Sequence, residues 1–428
     1  MRTAARRLPM LVPPCAVRGK PRDVPAVLPI LSELSLGARR SVPGWVPTQP
    51  LAAPTITQRP HSASWLEVTY PFSTDEELRR LYMLGASESL RAGMFLEELD
   101  AFSADCSARH ADMYNEARPL SVVTAAHDGL SIFEHLSARH DLRLRGCVVS
   151  VGTSSMEVRT DLLRVTRRDD RGTPEAHDDD DEEEFLGCCY TVMVARERAT
   201  FGRAAVHQLA HDAPACDDEI RAAAKRAKVR KALAANSLAH TPPFAEEVPL
   251  LHELWREARD RAAAGEEGGG GEALVVRVPM AASEQHAVDI MQPTHRNMNG
   301  YMFGGYLMRR ALEVGWVSAY RFARSPPSFA GLDDVSFNKP VELGAIIELV
   351  SRAVYSGDDE TVRVCVEAHK VSLRSGRREP MNLFHFIFRV AAADGVQKRR
   401  VVQPDTYEEG MLYLEGRRRW LNSQGPSS

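Results

Sequence analysis

The chain lacks the ~18 uninterrupted apolar residues that a membrane-spanning helix requires, so no helical span is expected. Cysteine is scarce: seven residues are scattered through 428, an odd number with no C-x-x-C pair. That spacing suits neither a zinc ribbon nor a disulfide framework, and the thiols read as reduced, mostly buried small hydrophobes in a reducing compartment. Cys188 and Cys189 stand side by side in a strand-like run and should face opposite sides of a sheet. Excess charge is missing too. A formal charge of −4 offers no field for a polyanion, so no nucleic-acid partner is expected. No Gly-x-Ser-x-Gly elbow occurs, which argues against a Ser-His-Asp hydrolase of the α/β type. What remains is ordinary: 44% apolar and 26% charged residues, enough for more than one domain core.

Composition changes along the chain. The first 22 residues carry Arg2, Arg6, Arg7, Arg18, Lys20 and Arg22, and the first acid is Asp23. An Arg-rich, acid-poor start suits an organelle import peptide for the mitochondrial matrix, a plastid address would look similar, and a plain basic tail is the alternative. Pro9, Pro13, Pro14, Pro21 and Pro25 work against a helix there, and residues 1–60 are expected to be disordered. Residues 61–200 read as a first unit. Leu90, Phe95, Leu99, Phe102 and Cys106 recur at helical steps between Ser87 and His110. Strands follow, with Met156 and Val158 alternating with Glu157 and Arg159, and Tyr190, Val192 and Val194 closing the unit. The acidic run from Asp178 to Glu184 reads as a solvated hairpin insertion, and no metal is expected.

Residues 201–272 read as a linker, with exposed helices at Arg221–Ala235 and Glu246–Ala264 and a flexible break at Gly268–Gly271. Residues 273–415 repeat the order of the first unit. A Gly-led helix at Gly305–Phe322 should bury Leu307, Met308, Leu312, Trp316 and Ala319. Strands should follow at Ile346–Val354, Val362–Val366 and Phe384–Phe388. Residues 416–428 are left as a tail. A single helix wrapped by one sheet leaves an edge open, and pairing two units closes it. The expected fold is therefore α+β: two helix-wrapped antiparallel sheets joined within the chain as a pseudo-dimer.

The sharpest segment runs from Met291 to Met308, where a polar loop passes through Gly304-Gly305 directly into an apolar helix. Glycines let a ligand approach the backbone, and the N–H groups of a helix start favour developing negative charge. Asn297, upstream on the loop, could donate its amide or orient water. The same residues equally suit a capping loop that only satisfies its own backbone.

The run N-x-N-G-x-x-F-G-G-x-L-M resembles the helix entry of hotdog-fold acyl-CoA thioesterases. M-Q-P-x-H-R-N and the stretch Asp333–Gly344 look like the acyl-CoA thioesterase 9 type, a mitochondrial double hotdog family. Pro119–Ala125, Val151–Val158 and Tyr407–Leu414 resemble the same group, so the likeness covers roughly residues 65–415. It implies a double hotdog that hydrolyses acyl-CoA without metal or redox cofactor, coenzyme A entering only with the substrate. Assembly as a trimer of double hotdogs is also implied.

The family pairs an Asn before one helix with an acid in the facing helix, seven residues after a glycine. That step from Gly93 lands on Asp100, and from Gly305 on Leu312. Eight residues before Gly305 is Asn297, whereas eight before Gly93 is Gly85. Each half keeps one member, so Asp100 and Asn297 are the expected catalytic pair, with Glu97 as the alternative acid. Leu99, Ala101 and Phe102 put Asp100 near the apolar face, where partial burial makes a carboxylate a better base.

Gly304 and Gly305 are the expected oxyanion donors. Phe95, Met308 and Leu312 are candidates for the acyl groove. Thr153, Ser154, Ser155, Arg296 and Lys339 are candidates for holding coenzyme A. His110, His127, His295 and His385 are left out of the chemistry, and His385 reads as a satisfied core or interface histidine. Two rivals stand beside hydrolysis: a hotdog hydratase or dehydratase, which would need an Asp-His or Glu-His pair, and an acyl-CoA-binding protein without turnover.

Overall fold

A computed structural model describes Arg22–Asp23 and residues 56–423 except 86–87, 114–119, 133–135, 167–181, 199, 211–213, 236, 239–240, 265–274, 298, 338 and 391–398. The expectations placed on residues 1–21 and 24–55, on 178–181 of the acidic run, on Gly268–Gly271 and on 424–428 lie outside the described residues, whereas Arg22–Asp23 and Gln58–Arg59, expected to be disordered, form short strands paired with Val68–Thr69 and Gln208–Leu209. The chain divides into two compact units, one of Met1–Ala224 with Arg296–Gly300 and one of Lys225–His295 with Tyr301–Ser428.

In the first unit, β1 (Leu66–Tyr70) leads through α1 (Glu76–Tyr82) into the long helix α2 (Ala92–His110). Then come β2 (Leu120–Ile132), β3 (Asp141–Val151), β4 (Ser155–Thr166) and β5 (Glu182–Glu197). The strands pair antiparallel in the spatial order β1-β3-β4-β5-β2. Helix α2 lies against β2, β3, β4 and β5. Gly146 on β3 permits this approach: a Cβ there would come within 2.7 Å of the Phe102 ring.

Fifteen of the nineteen α2 residues are buried, so the helix is enclosed and has no broad solvent face. Its buried polar groups must therefore find partners inside the fold. Glu98 accepts hydrogen bonds from the hydroxyls of Tyr82 (2.8 Å) and Tyr70 (3.1 Å).

The polar residues of β4 are buried as well, because the alternation read from Met156 to Arg159 does not leave one side in water. Helix α3 (Pro214–Ala235) supplies Glu219, which accepts from the Arg159 guanidinium at 2.5 Å, while Asp161 accepts from it at 2.8 Å. At the start of β5 the acids expected to be solvated are paired instead. Glu183 accepts from Arg145 at 2.7 Å and Glu184 from Arg164 at 2.9 Å.

The second unit repeats this topology. After α4 (Val248–Ala264) and β6 (Val275–Pro279) come β7 (Gln285–Ile290), α5 (Gly304–Ala323), β8 (Ser328–Leu332), β9 (Ile346–Ser356), β10 (Thr361–Val371) and β11 (Arg378–Arg389). Its strands pair antiparallel in the order β7-β9-β10-β11-β8. In each unit the first strand and the one after the helix stand at opposite ends of this five-strand order, with the last three between them. That is the hotdog arrangement, present twice.

Leu307, Met308, Ala311, Leu312, Val314, Gly315, Ser318, Ala319 and Phe322 form the buried side of α5. Trp316, expected inside, is only half-buried, and its indole N–H donates to the Pro327 carbonyl at 3.0 Å. Strand β12 (Arg399–Gln403) pairs parallel with β6. Helix α6 (Tyr407–Ser423) packs on β9 and β10, so 416–423 continue a helix and are not a tail.

Candidate active site

Asp100 lies midway along α2 and is completely buried. Its Oδ1 accepts a hydrogen bond from the Thr124 hydroxyl at 2.6 Å, a charge-assisted length. His127 Nε2 stands 3.3 Å from the same oxygen, within ion-pair reach although not aligned as a hydrogen bond.

Both partners come from β2. Regular alternation would send residues 124 and 127 to opposite faces of the sheet. The pairing of β2 with β5 shifts between Thr124 and Ala126, a bulge that adds one residue and turns both side chains towards α2.

Behind the ring, His127 Nδ1 lies 3.1 Å from Thr191 Oγ1 and 3.8 Å from Cys189 Sγ. Thr191 Oγ1 is 3.0 Å from Ser103 Oγ, which is 2.8 Å from the Leu99 carbonyl. Burial alone would depress the His127 pKa, but the contacts with Asp100 and Cys189 outweigh it and raise the value to about 9. Those contacts favour the protonated ring.

Thr124 and His127 were not among the expected site residues. Leaving His127 out of the site is corrected by its contact with Asp100. The expected separation of the two cysteines holds: Cys189 touches His127, while Cys188 packs with Trp65, Leu163 and Phe185.

The other histidines have different surroundings. His110 is buried near the end of α2, its Nε2 hydrogen-bonded to the His207 carbonyl at 3.0 Å, and burial above all lowers its pKa to about 4. His295 stacks on Tyr306, ring centres 4.0 Å apart. His385 is buried, but it is not the satisfied residue expected. Among the described residues neither ring nitrogen has a hydrogen-bond partner, and burial with Arg419 and Arg363 pushes the ring towards neutrality.

Of the remaining candidates, Asn297 is half-buried and its side-chain oxygen accepts from the Asn299 N–H at 2.9 Å, closing an Asx turn. Residues 296–300 belong to the first compact unit, the one that contains Asp100. Arg296 is exposed. Thr153, Ser154 and Ser155 form the turn from β3 to β4, with Thr153 exposed and the serines half-buried. The Thr153 and Ser154 carbonyls accept from Val206 and Ala195 N–H, which fixes the turn through its backbone. Phe95 is packed among Tyr70, Phe72 and Tyr82.

In the second unit, Gly304 and Gly305 are the first two residues of α5, whose N-cap Phe303 supplies no side-chain cap. Met308 and Leu312 are buried on that helix, and exposed Lys339 pairs with Glu379 at 2.5 Å. Glu97, the alternative acid, is nearly fully buried one turn before Asp100. Among the described residues no group of three or more His, Cys, Asp or Glu is disposed to hold a metal ion. Nor is any described helix long and apolar enough to cross a membrane.

No protein-family profile matches the chain. Individual relatives do. Acyl-coenzyme A thioesterase 9, mitochondrial, of Mus musculus is 30% identical over 380 residues, which are 88% of this chain and 82% of that protein. The Homo sapiens protein of the same name is 30% identical over 367 residues, 85% and 79% of the two chains. Acyl-coenzyme A thioesterase 2, chloroplastic, of Humulus lupulus is 31% identical over 374 residues, 84% and 80%. Among solved structures, an acyl-CoA hydrolase from Staphylococcus aureus in complex with butyryl coenzyme A, coenzyme A and coenzyme A disulfide is 24% identical. It covers 35% of this chain and 93% of its own, with a TM-score of 0.32. An acyl-ACP thioesterase from Bacteroides thetaiotaomicron is 10% identical over 77% of this chain and 100% of its own, with a TM-score of 0.42. On the identity shared with the curated relatives across most of both chains, this chain belongs to the acyl-coenzyme A thioesterase 9 family.

Proposed function

We propose that the protein hydrolyses fatty acyl-CoA to the free acid and coenzyme A, with Asp100 as the reacting carboxylate and Asn297 as its amide partner. The observation that carries this reading is the buried carboxylate of Asp100, held by Thr124 on the helix position where the family keeps its acid. Asp100 takes a proton from water as the hydroxide adds to the thioester carbonyl. The C–S bond then breaks, and the proton passes to the departing thiolate. In the other route Asp100 itself attacks the thioester carbonyl, the C–S bond breaks as the coenzyme A thiolate leaves, and water opens the resulting mixed anhydride. Single turnover in ¹⁸O-water identifies an anhydride opened at the Asp100 carbonyl, because label then appears on Asp100. The amide of Asn297 positions the carbonyl or the attacking water.

For the second-unit residues and the coenzyme A contacts the reading rests on the motif alone. Gly304 and Gly305 offer helix N–H groups to the oxyanion, and Met308 and Leu312, with Phe95, line the acyl path. Arg296, Lys339 and the turn Thr153-Ser154-Ser155 meet the coenzyme A phosphates. The reaction as written needs no cofactor. The domains are 61–200 and 273 to the end of α6 at 423, the chain acts in mitochondria, and three chains assemble. Light scattering in solution tests the last of these.

The test of the function is release of free thiol from acyl-CoA by purified protein. Wild type turns over, and Asp100→Asn and Asn297→Ala each lose about 10²-fold or more in kcat. Substituted proteins as fast as wild type would refute the assignment. A second reading, hydration of an enoyl thioester, is favoured by one observation, the Asp100–His127 contact. Loss of enoyl absorbance without thiol release would select it.

A further inference from the structure

We infer that His127 is a positioning residue for the reaction at Asp100, a cation that fixes the carboxylate in one orientation through its Oδ1 atom. The inference rests on the reading of Asp100 as the reacting carboxylate. Thr124 and His127 both contact Oδ1, so two groups from one strand restrain the rotation of the carboxylate about χ2. A single contact would leave that rotation softer.

The hydrogen-bond chain behind the ring constrains its protonation. In one direction, His127 Nδ1–H donates to Thr191, the Thr191 hydroxyl donates to Ser103, and Ser103 donates to the Leu99 carbonyl. In the opposite direction, Ser103 donates to Thr191 and Thr191 donates to a bare Nδ1. Because the Asp100 carboxylate can only accept, Nε2 carries the hydrogen that faces it in either arrangement. The first direction ends on a backbone carbonyl that can only accept; with Nε2–H facing Asp100 it goes with the doubly protonated ring, and the second direction goes with the neutral one. The titratable groups facing that ring are Asp100 from α2 and Cys189 from β5, while Asp128 is its neighbour on β2. Glu98, on the same helix as Asp100, is turned to Tyr70 and Tyr82.

His127 takes no proton in this scheme. The proton from water goes to Asp100 and then to the coenzyme A thiolate, and the imidazolium keeps its charge throughout. Its effect falls on kcat through the geometry of Asp100, with little on substrate binding. The bulge at Thr124–Ala126 is what places it.

The experiment compares the kcat–pH profiles of wild type, His127→Gln, His127→Leu and Asp100→Asn with one acyl-CoA. A glutamine amide nitrogen can stand near the Nε2 position as a neutral donor, whereas leucine offers none. Wild type should lose kcat on an alkaline limb near pH 9, where the ring gives up its charge. His127→Leu should lose about 10²-fold in kcat with KM within about twofold, and His127→Gln should recover about tenfold of that loss. Both variants should lack the alkaline limb. Wild-type kcat and an unchanged limb in His127→Leu, with Asp100→Asn inactive, would overturn the role of His127 alone. Full activity in Asp100→Asn would overturn the reading of the site instead. If His127→Leu does not fold, the His127→Gln profile decides: a retained limb contradicts the inference.

Discussion

Glu98 and Asp100 are both fully buried acids on one helix, and what separates them is their partners. Two tyrosine hydroxyls hold Glu98, and the Tyr70 hydroxyl is correspondingly hard to ionise, through burial first and the neighbouring Glu98 second. Asp100 instead meets a hydroxyl and a cation. Tyr82→Phe should therefore cost stability and not chemistry: about 1–3 kcal/mol in urea unfolding, with kcat kept within about twofold. A large fall in kcat at unchanged stability would show that Glu98 belongs to the reaction. At this scale the sequence was partly legible. The step from Gly93 to Asp100 could be matched to a motif, but the site partners of Asp100 could not. Thr124 and His127 lie on another strand and share a face only because of a bulge, which no alternation of residue types announces. Two of the buried histidines, His127 and His110, also set a pH window. His127 is raised to about 9, so its stabilising contribution is complete below about 6.5 and lost as pH rises through 9. His110 is lowered to about 4, so the neutral buried ring is favoured above about 6.5 and stability falls as pH drops from there towards 4. Thermal midpoints should decline on both sides of a maximum near pH 6.5, with the alkaline decline missing in His127→Gln. An identical alkaline decline in that variant would contradict the assignment.

Among the elements, α2 and α5 are equivalent in topology but differ in surroundings. Helix α5 keeps an apolar buried stripe and an exposed side, so its periodicity revealed its extent and most of its buried residues. Only Trp316 was misplaced, because its indole N–H reaches the Pro327 carbonyl. Helix α2 is enclosed, so Glu97 and Glu98 are interior along with Asp100, which the sequence had put only near the apolar face. Strand β4 deceived in the same way. Arg159 alternates with apolar residues as a solvent-facing side chain would, yet it is nearly fully buried between Asp161 and Glu219. Removing one member of a buried ion cluster leaves the others desolvated without compensation. Arg159→Ala should therefore destabilise the protein by about 3–5 kcal/mol, read as a lower urea midpoint. A change under about 1 kcal/mol would mean that the cluster is solvated in solution.

Across the whole molecule, two units with the same strand order have kept different residues at the motif positions. Gly85 stands where Asn297 would be, and Leu312 stands where Asp100 would be. Gly85 adopts a left-handed backbone (φ 63°), which glycine takes without strain, and Leu312 is buried in the α5 core. The duplication was legible because both helix entries carry glycine before an apolar period. The covering of the first sheet by Glu219 of α3 was not, because a helix rich in Ala, Arg and Lys reads as a plain connector. The measurement that tests the account most directly is the steady-state release of coenzyme A by wild type, Asp100→Asn and Asn297→Ala at matched folded concentration. The account predicts turnover in wild type and a fall of about 10²-fold or more in each variant; equal rates in all three proteins would contradict it.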